Sequence, residues 1–128
     1  MRRVFLLAAI ALAPAACQSV PKDYIQFHAG RDAASVAGHI ADKIGACWFD
    51  GKHEAFEPYS YAPEPGISST RVLIVPKQEP HGLPALIVEV RKAKRGSDVR
   101  LFGPLMQTGE ADKIRNDIRK WTGGARDC

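Results

Sequence analysis

Ala85-Leu86-Ile87-Val88-Glu89-Val90-Arg91-Lys92 is the segment from which the architecture of this chain can be worked outward. Leu86, Val88 and Val90 alternate with Ile87, Glu89 and Arg91, the two-residue period of a strand that turns one face to a core. A basic turn from Lys94 to Ser97, centred on Gly96, follows it. Asp98 to Phe102 then returns with Val99 and Leu101 directed inward, so the two segments read as a hairpin closed by Gly103-Pro104. Upstream, Arg71 to Val75 is a second strong strand ended by Pro76, and Pro80, Gly82 and Pro84 punctuate the loop between them. His53 to Tyr61 is a weaker strand, interrupted by Pro58 and followed by the loop Pro63-Glu64-Pro65-Gly66.

Helical periodicity flanks these strands. Asp32 suits an N-cap, where a carboxylate accepts from free backbone N–H groups. Beyond it Ala33, Val36, Ala37, Ile40, Ala41 and Ile44 form one stripe, continued by Cys47 and Trp48. Arg31, Ser35, His39 and Asp42 lie off the stripe, so His39 is expected to face solvent. Asp50-Gly51 ends the helix. Near the other end, Thr108 suits a cap and Glu110 the positive end of the helix dipole. Ala111, Ile114, Ile118 and Trp121 make a narrow stripe, and Gly123-Gly124 stops it. The expectation is an α+β, two-layer fold in the order helix, strands, helix. Its antiparallel sheet has three or four strands, and the N- and C-terminal helices sit on one face. A helix-grip sheet curved around the last helix is a close variant.

The first residues carry a different signal. Arg2 and Arg3 precede an uninterrupted apolar run of ten residues, Val4 to Ala13. That is short of the roughly 20 residues a membrane-spanning helix needs, and it matches the apolar centre of an export signal. Ala13-Pro14-Ala15-Ala16-Cys17 resembles the lipobox of bacterial lipoproteins, with Pro14 standing where that motif usually has Leu. The resemblance implies a diacylglycerol and an N-acyl chain on Cys17, cleavage just before it, and anchoring to a membrane. Gln18 after the cysteine implies the outer membrane. Ordinary cleavage after Ala15, using Ala13 and Ala15 as the small pair, is the alternative. The expected layout is a signal peptide over 1–16, a lipid-anchored tether over 17–30 and a single periplasmic domain over 31–128.

Cleavage at that point removes two of the 18 basic residues and none of the 14 acidic ones, which leaves a net charge of +2. So small an excess gives no reason to expect nucleic acid as a partner. Three cysteines are an odd number for an exported protein. Lipid on Cys17 leaves Cys47 and Cys128 to pair in an oxidising compartment. A bridge needs Cα atoms within about 7 Å. Four residues after the glycines reach at most roughly 14 Å, less than the length of the final helix, so two parallel helices are expected.

No catalytic set stands out. His28, His39, His53 and His81 are scattered without zinc-ligand spacing. Glu54, Glu57 and Glu64 show no sign of converging. Calcium-loop, phosphate-loop and nucleophile-elbow patterns are absent, so neither a cofactor nor a metal is expected. Two features point to binding. Arg91, Lys92, Lys94, Arg95 and Arg100 cluster around the hairpin turn, where they suit anionic lipid, or simply solvate the tip and discourage edge pairing. Leu73, Val75 and Ile87 put apolar groups on the second face of the sheet, bordered by Tyr59 and Tyr61. That face is a surface for an envelope partner or for self-association, or else a modest exposed patch or one that the tether covers. The expected function is that of a non-enzymatic binding or scaffolding lipoprotein of the cell envelope. One alternative is a small secreted inhibitor or ligand-binding domain without lipid, and a third reading is an enzyme whose site is assembled across loops.

Overall fold

The computed structural model describes residues 23–128. The strand expected over Ala85–Lys92 lies at the centre of a five-stranded, fully antiparallel sheet. In chain order the elements are β1 (Ile25–Ala29), α1 (Ala33–Lys43), a π-helical turn (Ile44–Asp50) and a short 3-10 turn (Glu54–Phe56). They continue with β2 (Tyr59–Pro65), β3 (Ser69–Pro76), β4 (Leu86–Lys92), β5 (Ser97–Phe102), a second 3-10 turn (Pro104–Gln107) and α2 (Ala111–Thr122). The strands lie side by side as β1-β5-β4-β3-β2.

The register makes the two faces explicit. Val72, Val88, Leu101 and Ile25 stand in one row across the sheet, and Thr70, Val90, Val99 and Phe27 in the next. These rows and Ile74-Leu86 form the face beneath the helices. Val36, Ala37 and Ile40 of α1, Ile44 and Trp48 of the π turn, and Ile114, Ile118 and Trp121 of α2 close over it. Each fully buried aliphatic or aromatic side chain here contributes about 1.5–3 kcal/mol. Trp48 stacks on Phe56 at 4.3 Å between centroids and meets Trp121 at 5.5 Å. Among the polar groups in this layer, Asp117 accepts from Trp48 Nε1–H at 2.9 Å and from Lys113 Nζ at 2.8 Å. An indole N–H is thereby satisfied where water does not reach it.

Four expectations are corrected. The sheet has five strands rather than three or four. The fifth is β1, cut from the segment expected to be tether, so of residues 17–30 the stretch Ile25–Ala29 belongs to the domain. Its sequence, Ile-Gln-Phe-His-Ala, does alternate, but five residues beside Pro21 and Gly30 carry too little periodic signal to stand out alone. β2 runs on through Pro63-Glu64-Pro65. The Lys77 N–H donates to the Pro58 carbonyl at 2.9 Å, which sets the phase of the β2–β3 ladder. Ser60, Ala62 and Glu64 then bond inward, while Tyr59, Tyr61, Pro63 and Pro65 turn outward at the sheet edge. A proline there forfeits no ladder bond and blunts the edge against pairing.

The helices run in opposite senses, not in parallel. β1 and β5 are antiparallel and each feeds one helix back over the sheet. The end of α2 therefore meets the start of α1, where Arg31 donates to the Thr122 carbonyl at 3.1 Å. The tail after Gly123 runs back beside α1. His39 Nε2–H donates to the Ala125 carbonyl at 2.8 Å, and Lys43 bonds the Arg126 carbonyl four residues on. His39 is thus half-buried beneath the tail instead of facing water.

Candidate functional site

The tail ends at a disulfide between Cys47 and Cys128, with Cα atoms 5.5 Å apart. Trp121 Nε1–H donates to the Asp127 carbonyl at 3.0 Å, so the tail also shields a buried indole. Lys120, hydrogen-bonded to Asp127, holds that carboxyl below its ordinary range. Cys17, the expected lipidation site, lies outside the described residues. Among the described residues no helix is long and apolar enough to cross a membrane. Nor does any group of three or more His, Cys, Asp or Glu among them come together to hold a metal ion.

Leu73, Val75 and Ile87 do share the face of the sheet away from the helices. Ala62, Leu73, Ile87 and Phe102 stand in one row across four strands, with Leu73, Ile87 and Phe102 half-buried. Val75 on the same face is 8 % exposed. The register of β1 and β5 continues this row to Tyr24, whose ring lies 4.6 Å from the Arg100 guanidinium carbon. Phe102 follows from the β4–β5 hairpin, whose alternation turns it away from Val99 and Leu101, whereas Tyr24 was not legible as a member of this patch, because its place depends on β1 being a strand. The next row, Glu64-Arg71-Glu89-Arg100-Gln26, alternates in charge. On that side the apolar row is bounded by paired charges such as Arg71–Glu64.

The basic hairpin does not gather into one patch. Arg91 stands opposite Asp98 on the open face, while the next residue, Lys92, turns to the helix side beside Ser97. Arg100 is held by the Gln26 side chain at 2.9 Å and by the Tyr24 ring. Lys94 and Arg95 stand exposed at the turn. That turn lies beside Ala29, at the end of β1 opposite to Ile25, where the described chain begins. A five-residue strand separates the two ends by about 17 Å.

A further site was not legible in the sequence. The π turn and the 3-10 turn after it lean over the outer edge of β2 and leave a half-open cleft of about 510 Å³. Trp48 and Phe56 line it from the core, each 1 % exposed. Phe49 and Tyr61 face each other at 4.7 Å between centroids, tilted by 31°. Gly45 lies directly under the Tyr61 hydroxyl, 2.5 Å from where a Cβ would stand, so a side chain there would displace the ring. His53 Nδ1 accepts from the Ala55 N–H at 3.3 Å, which leaves the proton of a neutral ring on Nε2. Lys52, in the left-handed region at φ 51°, and Lys77 complete the lining with Tyr59, Ser60 and Glu57. π turns of this kind occur often at functional sites. The sequence showed Phe49, Lys52, His53, Tyr61 and Lys77 only as scattered residues of a helix end, a turn, a weak strand and a loop.

No family model matches this sequence, and no curated protein and no solved structure matches it either.

Proposed function

We propose that this chain is a lipoprotein of the bacterial envelope, cut before Cys17 and held on a membrane, most naturally the outer one, by acyl chains on that cysteine. Its domain binds or scaffolds another envelope component and does not catalyse a reaction. The observation that carries the reading is the pairing of Cys47 with Cys128. A disulfide suits an oxidising, extracytoplasmic compartment, and it accounts for two of three cysteines, leaving the one in the lipobox-like signal. One acyl chain gives marginal membrane binding and two or more give a stable anchor.

The open row Leu73, Ile87 and Phe102 is the surface offered to the partner. Arg91, Lys92, Lys94, Arg95 and Arg100 have a smaller part, since the register separates them between faces and toward the end of the domain away from residue 23. The test is metabolic labelling with a fatty acid and fractionation of cells carrying Cys17→Ser. Loss of label and release of the domain from the membrane fraction are expected. A native protein that begins at Ala16 and carries no lipid mass would overturn the anchor and favour a secreted binding domain.

A further inference from the structure

We infer that the cleft between the π turn and β2 is a binding site for a planar ring that carries a carboxylate. A cavity of about 510 Å³ lies in the range of sites that enclose most of a small ligand. Its apolar walls are aromatic: Phe49, Tyr59 and Tyr61 line the mouth, and Trp48 and Phe56 the base. Aromatic side chains receive a further ring offset or edge-on. Tyr61, 37 % exposed, is a large ring that the fold leaves partly uncovered beside Phe49.

The charges decide between ligands. The rim holds Lys52 and Lys77 against the single carboxylate of Glu57. Both lysines are exposed, and among the described residues neither forms an ion pair. Aromatic faces alone would also suit a cation, but two ammonium groups oppose one. They favour an anion small enough to keep its ring among the aromatics while its charge stays at the rim. The His53 Nε2–H adds a donor for a carboxylate oxygen. The inference does not depend on lipid at Cys17, so its failure would leave the anchoring proposal standing.

The disulfide-bonded chain is to be titrated with 2-naphthoate and, separately, with the uncharged 2-naphthalenemethanol, following amide shifts and heat. Saturable binding of the acid is expected, with shifts centred on Phe49, Lys52, His53, Tyr61 and Lys77. The alcohol should bind about fivefold more weakly. Lys52→Gln with Lys77→Gln should remove that preference for the acid and leave the alcohol's affinity as it was, whereas Glu57→Gln should tighten the acid about twofold. Tyr61→Leu should weaken both ligands alike. All four positions are exposed, and a melting curve checks that each variant is folded. No saturation by the acid, equal binding of acid and alcohol, an unchanged acid affinity in the double lysine variant, or shifts confined to another surface would each overturn the inference.

Discussion

Breaking the Cys47–Cys128 bridge should be the most damaging covalent change available to this domain. The bridge closes a loop with a sequence separation of 81 residues, which holds every element after the π turn and leaves β1 and α1 outside it. In the loop-entropy description a closure of that length restricts the unfolded chain by about 4.5 kcal/mol at 25 °C. Globular domains hold about 5–15 kcal/mol in total. At about 4 °C for each kcal/mol, Cys47→Ser with Cys128→Ser should melt roughly 18 °C below the parent. The tail gives a second, local readout. It lies along α1 through His39 and Lys43 and covers Trp121. Without its covalent end it is held by hydrogen bonds and packing alone, those to Lys120 included, and its opening exposes an indole. Tryptophan emission should therefore move to longer wavelength below the main transition, which calorimetry locates. A shift in melting of under about 5 °C, in a parent whose disulfide is verified by mass, would refute the loop-entropy reasoning. It would mean that the unfolded chain is already compact, or that the tail stays docked on its hydrogen bonds.

Four shorter predictions test other parts of the fold. Asp117→Leu should cost about 1–3 kcal/mol in denaturant melts, because the Trp48 N–H loses its acceptor in the core, while Asp117→Asn, which keeps an acceptor, should cost less; equal losses would show the bond to be idle. Gly96 turns at φ +75°, and a Cβ there would stand 2.0 Å from the Ala29 carbonyl oxygen, so Gly96→Ala should destabilise by more than about 2 kcal/mol and loosen β1 in hydrogen exchange. Leu73→Lys and Ile87→Lys, on the open face, should stay folded and abolish capture of the proposed envelope partner, whereas Val88→Lys on the covered face should unfold the domain; unfolding of all three would make both faces core. Asp32 accepts from the Ser35 hydroxyl at 2.7 Å and from its N–H at 3.0 Å, which holds its carboxyl below the ordinary value. That contribution is present above the unfolded-state value and lost as pH falls through the lowered one. Ser35→Ala should return the NMR-titrated value toward the ordinary range, and no change would show the cap to be ineffective.

Local chemistry determined much of this molecule in advance. The two-residue alternation of Leu86, Val88 and Val90 and the 3.6-residue stripe from Ala33 to Ala41 are periodic over enough residues to specify element and buried face together, whereas Ile44 to Trp48, read as a continuation of that helix, form a π turn. The breakers Pro76, Gly103 and Gly123 set ends within a residue or two of where they fall. Leu73 and Ile87 share a face because strand alternation leaves no choice once β3 and β4 are neighbours. Cys47 and Cys128 were paired by elimination and meet at 5.5 Å.

What only tertiary structure decided has a common cause: it depends on which segments lie side by side. Ile25–Ala29 becomes a strand because β5 offers a free edge, and tertiary pairing overrides a weak local signal. That added strand sends α1 down the sheet while α2 comes up it, so the helices oppose each other and the tail, measured from Gly123 rather than Gly124, must run back to reach Cys47. The cleft of Phe49, Tyr61, Lys52 and Lys77 forms for the same reason. Its residues come from a helix end, an edge strand and two loops, and a small residue at Gly45 matters only once Tyr61 is laid across it. Periodicity describes one element at a time, and a site assembled between elements has no period to read.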